Sequence, residues 1–211
     1  MEAANEIEAI LENEKRIGEN RIIILMLVKP SDENAACIIN NFNYWHHASG
    51  RYCGIYAIGY SKVKFDESYR DVTTVNGVDN QKWYYSDKSF VEMKQAIQER
   101  AEWRYSGEPE LILLQSNIES GSILTFQNKY VIDINYGQSR GYYRSLNTFM
   151  ESLIEASKSE VEARSAVVKV TKERYSLKTV FEEAVNSSTR LPDLAKKALL
   201  DISFILSKKL K

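Results

Sequence analysis

The stretch Arg21-Ile22-Ile23-Ile24-Leu25-Met26-Leu27-Val28 decides the fold class of this chain. Its apolar residues cover both faces of an extended strand, which is typical of a central strand with helices on either side. Pro30 ends the strand, because proline cannot donate a ladder hydrogen bond. The apolar run is much shorter than the roughly 20 residues that a membrane-spanning helix needs. We therefore predict a buried strand in the middle of an α/β sheet.

A helix and a second strand follow this stretch. Ser31 is a suitable N-cap, and Asp32 and Glu33 complement the dipole of a helix that we expect over residues 32–46. Ser49-Gly50 ends the helix, and residues 52–58 are again rich in apolar and aromatic side chains. A strand, a helix and a strand in this order form a βαβ unit with two parallel strands.

The remaining residues up to 156 alternate between strand and helix signals. The expected strands are residues 72–75, 110–115, 123–126 and 130–134, and the expected helices are 6–16, 86–101 and 146–157. Residues 83–85 fit a strand or a loop. We predict a three-layer, Rossmann-like or flavodoxin-like α/β domain with a mostly parallel sheet over residues 1–156, including the N-terminal helix 6–16.

The end of the chain differs from this domain in pattern and in charge. No strand signal follows Ser145, and we predict an all-helical extension over residues 157–211. This extension holds 12 basic and 7 acidic residues, whereas residues 1–156 hold 16 and 22. The nearly balanced total of 28 basic and 29 acidic residues therefore combines an acidic domain with a basic extension.

Common cofactor and metal motifs are missing from the sequence. The turn over residues 29–34 has no glycine through which a phosphate could approach the backbone, and Asp32 and Glu33 add negative charge there. The two histidines, His46 and His47, are adjacent on a predicted helix and point in different directions. No Cys/His set has the spacing of zinc ligands. We predict no cofactor and no metal, and we favour a binding role over an enzymatic one.

The N-terminal residues and the cysteines predict a cytoplasmic protein without a membrane partner. Residues 1–8 are acidic and lack the apolar core of a secretory signal. Cys37 and Cys53 form no CxxC pair, and a secreted chain of this size more often carries a disulfide framework.

Polar residues follow the predicted strands at their carboxyl ends, where open α/β sheets bind ligands. They predict a crevice for a small polar ligand or a nucleotide, lined by Ser31, Asp32, Tyr60, Asn117, Asn135 and Tyr136. The alternative is that these are ordinary loop residues, since loops are polar in most proteins.

Residues 135–145, Asn-Tyr-Gly-Gln-Ser-Arg-Gly-Tyr-Tyr-Arg-Ser, concentrate aromatic and basic side chains. Tyr and Arg are enriched at energetically important positions of protein interfaces. We predict a partner-binding surface at Arg140, Tyr142, Tyr143 and Arg144. The alternatives are a loop that grips phosphate or stacks a base and a connection packed on its own domain.

These patterns predict a soluble Rossmann-like module that binds partner proteins or itself, with or without a small ligand. It would act as a sensor or assembly subunit of a multi-component system, for example one for bacterial defence. One alternative is a carboxylate-dependent hydrolase or transferase of nucleotides or nucleosides, with Glu92, Glu99, Glu102 or Glu119 as the catalytic group. Another is a nucleic-acid-associated subunit that uses the basic C-terminal helix with Lys196, Lys197, Lys208, Lys209 and Lys211.

Overall fold

The computed structural model describes residues 1–33, 35–119, 123–139, 143 and 145–159, without the side chains of residues 127, 128 and 159. The predicted helical extension over residues 157–211 therefore lies almost entirely outside the described residues. The strands are β1 Glu2–Ala4, β2 Ile22–Leu27, β3 Cys53–Ile58, β4 Tyr60–Ser61, β5 Val72–Asn76, β6 Lys82–Ser86, β7 Glu110–Ser116 and β8 Leu124–Asp133. The helices are α1 Ile7–Ile17, α2 Ala35–Asn40, α3 Phe42–Ser49, α4 Asp87–Ala101, α5 Ile134–Ser139 and α6 Leu146–Ser159.

The main sheet is mixed, with the strand order β1-β3-β2-β7-β8. Strand β3 runs parallel to β1 and to β2, as the βαβ unit predicts, whereas β7 runs antiparallel to β2 and β8 antiparallel to β7. The structure thus confirms the α/β class but corrects the expectation of a mostly parallel sheet.

The antiparallel half of the sheet follows from two connections. The rings of Tyr105 and Phe90 lie 5.6 Å apart, so the chain after α4 has returned to the first turn of that helix before β7 begins. Residues 117–123, between β7 and β8, are too few for the crossover that two parallel strands would need. Strands β7 and β8 therefore form a hairpin.

A second, three-stranded antiparallel sheet with the order β4-β6-β5 continues from the end of β3. The backbone turns from β3 to β4 at Gly59, which has a φ of 85°. The Ser86 N–H donates to the Gly59 carbonyl at 3.2 Å and ties β6 to this turn. Residues 83–85, for which the sequence allowed a strand or a loop, belong to β6.

The predicted helix over residues 32–46 is observed as two short helices, α2 and α3. Asp32 does not begin a helix but closes a turn, because its Oδ2 accepts from the Lys29 N–H at 2.7 Å. The two predicted strands 123–126 and 130–134 form the single strand β8, and the first part of the aromatic and basic segment 135–145 belongs to helix α5. Strand β1 was not predicted.

A charged pair is buried beside the apolar core. Arg21 Nε and Nη2 donate to Glu14 Oε2 and Oε1 at 2.8 and 2.6 Å, and the Tyr56 hydroxyl also donates to Glu14. Buried charges are tolerated only when they are paired and hydrogen-bonded in this way. Gly54 makes room for the pair, since a Cβ there would lie 2.9 Å from Glu14 Oε1.

The last described helix, α6, packs against α3. The Trp45 indole donates to Asn147 Oδ1 at 3.0 Å, and the Trp45 side chain is fully buried. Cys37 is exposed and Cys53 is buried, and both are free thiols. Of the helices that the structure describes, none combines the length and the apolar character required to cross a bilayer.

Candidate functional site

Strand direction brings most of the predicted ligand residues to one edge of the main sheet. Leu27, at the end of β2, lies opposite Glu110, and Glu110 lies opposite Asp133 at the end of β8. The carboxyl ends of β2, β3 and β8 therefore meet the amino end of β7. The predicted residues at this edge are Ser31, Asp32, Tyr60, Asn135 and Tyr136.

Asn117 does not join them. Because β7 is antiparallel to β2, its carboxyl end lies beside Ile22, at the opposite edge of the sheet. The Asn117 N–H donates to the Ile123 carbonyl at 2.8 Å in the turn between β7 and β8. The prediction that Asn117 lines the same crevice is therefore wrong, and the cause is the antiparallel direction of β7.

Tyr60 forms part of the floor beneath this edge. Its side chain is fully buried, and its hydroxyl donates to the Val28 carbonyl at 3.1 Å. Burial raises the pKa of its phenol, and the nearby Asp32 charge adds to that rise. Because its hydroxyl is already bonded to Val28, Tyr60 has a structural role and packs beneath the polar residues of this edge.

Lys29 is held against two aromatic rings at the same edge. Its Nζ lies 5.3 Å from the centre of the Phe90 ring and 6.0 Å from that of Tyr105. These are the distances of cation–π contacts. Gly59 permits the approach of α4 to the end of β3, because a Cβ there would lie 2.7 Å from the Phe90 Cβ.

Four carboxylates at this edge accept hydrogen bonds from uncharged donors. Asp32 accepts from the Lys29 N–H at 2.7 Å, Asp87 from the Tyr85 hydroxyl at 2.8 Å, Glu108 from Asn135 Nδ2 at 2.8 Å and Asp133 from the Tyr136 N–H at 2.8 Å. Among the described residues, no lysine or arginine nitrogen lies within 4.0 Å of any of the four. Their negative charge is therefore not neutralised by ion pairing in that part of the chain.

The pKa values of two side chains, Asp32 and Tyr105, reflect this excess of negative charge. Burial raises the pKa of Asp32, and the charges of Glu108 and Asp87 add to the rise, while the Lys29 N–H and charge oppose it. Burial also raises the pKa of the Tyr105 phenol, with further contributions from Asp32, Glu110, Glu108 and Asp133. The Tyr105 hydroxyl is buried and has no hydrogen-bond partner in the described part of the chain.

We call Lys29, Asp32, Tyr105, Glu108 and Asn135 the strand-end site. Asp32 and Asn135 were predicted from their positions directly after strands. Lys29 also follows β2 directly but was not among the predicted site residues. Tyr105 and Glu108 were not predicted either, because the turn after α4 and the antiparallel direction of β7 bring them to this edge. The segment Trp103-Arg104-Tyr105 is rich in aromatic side chains, but nothing in its spacing indicates which strand end it approaches.

The predicted partner surface is only partly within the described residues. Tyr143 is 3% exposed, its hydroxyl donates to the Ile134 carbonyl, and its ring lies 4.9 Å from that of Phe149. It covers Gly137, where a Cβ would lie 2.6 Å from the Tyr143 ring. Tyr143 therefore packs in the core and does not present a partner surface. Arg140, Tyr142 and Arg144 lie outside the described residues.

The two histidines take separate structural roles. His46 Nδ1 lies 2.9 Å from the Met1 carbonyl, and His47 Nε2 lies 3.0 Å from Asp79 Oδ1. Within the described residues, no group of three or more His, Cys, Asp or Glu side chains is arranged to hold a metal ion.

The glutamates considered for catalysis do not converge on one place. Glu92 accepts from the Tyr69 hydroxyl at 3.2 Å, and Glu99 accepts from Gln95 at 3.3 Å on the exposed side of α4. Glu102 ends α4 in a left-handed conformation, and Glu119 follows β7 at the edge remote from the strand-end site. The basic C-terminal helix considered for nucleic-acid binding lies outside the described residues.

The comparisons with known proteins assign no family to this chain. No protein-family model, no curated protein and no solved structure matches it. The chemistry of the strand-end site is therefore the basis on which we propose a function.

Proposed function

We propose that the protein is a binding module, a sensor or assembly subunit, whose strand-end site takes a small polar ligand with a positively charged amine or guanidinium group. The observation that carries this proposal is the set of four carboxylates that no described lysine or arginine neutralises by ion pairing. A cation is attracted to such a site, whereas a phosphate is repelled.

The position of Lys29 supports this choice of ligand charge. Its ammonium lies over the Phe90 and Tyr105 rings, so the Asp32 and Glu108 carboxylates are left to accept from a ligand. Asn135 donates to Glu108 Oε2 and orients that carboxylate. A charge-assisted hydrogen bond to an ordered carboxylate is among the stronger polar contacts in proteins.

The half-buried rings of Tyr105 and Tyr136 lie at the same edge and add apolar surface. Ligand sites commonly combine such surface with a few placed polar groups. An amine attached to a ring or a short carbon chain fits this combination better than a highly charged nucleotide does.

A thermal unfolding assay with a panel of small amines tests the proposal. Tyramine, agmatine and spermidine should raise the melting temperature of the wild-type chain, because a ligand that binds only the folded state stabilises it. Glu108→Gln should weaken the effect, whereas Glu119→Gln, at the opposite edge, should leave it unchanged. An equal response in wild type and Glu108→Gln would place binding elsewhere, and the lack of any response would count against the proposal.

The raised pKa of Asp32 favours a second candidate function, carboxylate-dependent hydrolysis or transfer on a nucleotide or nucleoside. A carboxyl whose pKa is raised by burial and by neighbouring charges keeps its proton to a higher pH and is better suited to act as a general acid. Incubation with NAD, ATP and nucleosides, followed by chromatography of the products, tests this candidate. Product that is lost in Asp32→Asn would support it, and the lack of product from all of these compounds would reject it.

A further inference from the structure

We infer that the outer edge of β5 is a self-association surface through which two copies of the chain pair as antiparallel strands. Strand β5 lies at the edge of the second sheet and pairs there with β6. Within the described residues, its other edge makes no backbone hydrogen bond. Such an edge is a template for another strand.

The register shows which backbone groups face outward. The Ser86 N–H donates to Gly59, so Ser86 and, by alternation, Tyr84 direct their backbone groups towards β4. The next residue, Tyr85, then faces β5, where it lies opposite Thr73. Thr73 and Val75 therefore bond to β6, and the outward groups belong to Val72, Thr74 and Asn76.

The composition of β5 leaves this edge unprotected. Natural edge strands commonly carry lysine, proline or an inward charge that prevents further pairing. The five residues of β5, Val-Thr-Thr-Val-Asn, include no charged residue and no proline, and four of them are β-branched. Thr73, Thr74 and Asn76 are exposed, so a neighbouring strand can approach.

Charge complementarity identifies a second copy as the occupant. A two-fold axis at Thr74 places Thr74 opposite its own copy and Val72 opposite Asn76, which gives about six backbone hydrogen bonds in an antiparallel ladder. Arg70 and Asp79 are exposed and flank β5 at its two ends. In this register Arg70 lies opposite Val78 of the second copy and diagonal to Asp79, whose Oδ1 also lies 3.0 Å from His47 Nε2 of its own chain. A parallel arrangement would instead bring like charges together.

Asp71 does not oppose this arrangement. Its carboxylate accepts from the Ser86 hydroxyl at 3.1 Å and from the Lys88 N–H at 3.1 Å, so it is turned towards the start of α4. The position across the axis from Asp71 is Gly77 of the second copy, which has no side chain to collide with it. Thr74 also pairs well with itself, since threonines across two strands can bond through their hydroxyls.

Sedimentation velocity of the full chain over a concentration series tests the inference. The wild type should form a dimer, and Thr74→Lys, which places like charges opposite each other, should weaken it by about twofold to fivefold. Arg70→Asp should weaken it as well, and the double variant Arg70→Asp/Asp79→Arg should restore most of the loss because the charges again match. Arg104→Asp, an exposed arginine after α4, is the control and should have no effect.

Three results would overturn the inference. They are a wild-type chain that stays monomeric at all concentrations, a dimer that neither Thr74→Lys nor Arg70→Asp weakens, and a double variant as weak as Arg70→Asp alone. Circular dichroism of each variant shows whether the fold is kept, and Arg70→Asp changes only an exposed side chain.

Discussion

Lys29 lies over the ring of Phe90, with its Nζ 5.3 Å from the ring centre, and this contact joins the end of β2 to the first turn of α4. The contact holds the Lys29 ammonium against an aromatic face. The ammonium is therefore not within ion-pairing distance of the Asp32 carboxylate. The proposed ligand site depends on this separation of charges. Its geometry depends in turn on how closely α4 approaches the end of β3.

Gly59→Ala should lower the free energy of unfolding by about 2–4 kcal/mol. Gly59 has a φ of 85°, and a Cβ there would lie 2.7 Å from the Phe90 Cβ and 2.9 Å from its Cα, so backbone strain and overpacking add together. Urea unfolding measures the change. Gly107→Ala is the matched control, because its φ of 100° carries the strain but no atom lies within 4 Å. Equal losses in the two variants would show that the Phe90 contact has no steric cost.

Asp32→Asn should make the protein more stable at pH 7. Burial raises the pKa of Asp32 in the folded state, so the folded state binds a proton more tightly than the unfolded one. The cost of the folded charge is then full above the folded pKa, and it disappears as the pH falls below the ordinary value of 3.8. The asparagine oxygen can still accept from the Lys29 N–H.

Urea unfolding of wild type and Asp32→Asn at pH 7 and near pH 3.5 measures this difference. The variant should be more stable at pH 7 and equal to the wild type at the lower pH. Glu33→Gln, an exposed neighbour, should show neither effect. A variant that is less stable than the wild type at pH 7 would contradict the raised pKa.

Arg21→Met should lower the free energy of unfolding by about 3–5 kcal/mol, because it leaves the fully buried Glu14 carboxylate without its positively charged partner. The double variant Arg21→Met/Glu14→Leu should recover a large part of this loss, since neither charge is then buried. A double-mutant cycle of urea unfolding gives the coupling between the two sites. A loss of stability in the double variant that equals the sum of the losses in the two single variants would contradict the pairing of Arg21 with Glu14.

Ser86→Ala should lower the free energy of unfolding by about 1–2 kcal/mol. The Ser86 hydroxyl caps α4 by accepting from the Ser89 N–H at 3.3 Å, and it donates to Asp71 at 3.1 Å. Ser89→Ala is the control in the same helical turn. The Ser89 hydroxyl is buried with no hydrogen-bond partner in the described part of the chain, so its removal should be neutral or stabilising. A larger loss of stability in Ser89→Ala than in Ser86→Ala would contradict the assignment of Ser86 as the residue that caps α4.

The parts of the fold that follow local patterns could be predicted from the sequence. The apolar run at residues 22–28 gives β2, the periodicity of residues 7–17 gives α1, and Ser86 begins α4 where a capping residue precedes an amphipathic pattern. Each of these signals arises from neighbouring residues. The direction of β7 does not, because it is set by the return of residues 102–109 along α4.

The same distinction explains which site residues were found. Asp32 and Asn135 follow strands directly, so strand order alone brings them to one edge. Tyr105 and Glu108 reach that edge through a turn with no sequence signal, and Asn117 is carried away from it by the antiparallel hairpin. Tyrosine is a residue type that is common at protein interfaces. Tyr143 nevertheless packs in the core, because the small Gly137 opposite it leaves room for the ring.

The most direct test of the strand-end site is a titration of the ¹⁵N-labelled protein, followed by backbone amide chemical shifts. Tyramine, agmatine and 4-hydroxyphenylacetate are the probes, and the last is an anion of nearly the same size as tyramine. The amines should shift the resonances of the strand-end site, and the anion should not; these residues are Lys29, Asp32, Tyr105, Glu108 and Asn135. Shifts caused equally by the anion, or no shift of these residues by either amine, would contradict the proposed ligand site.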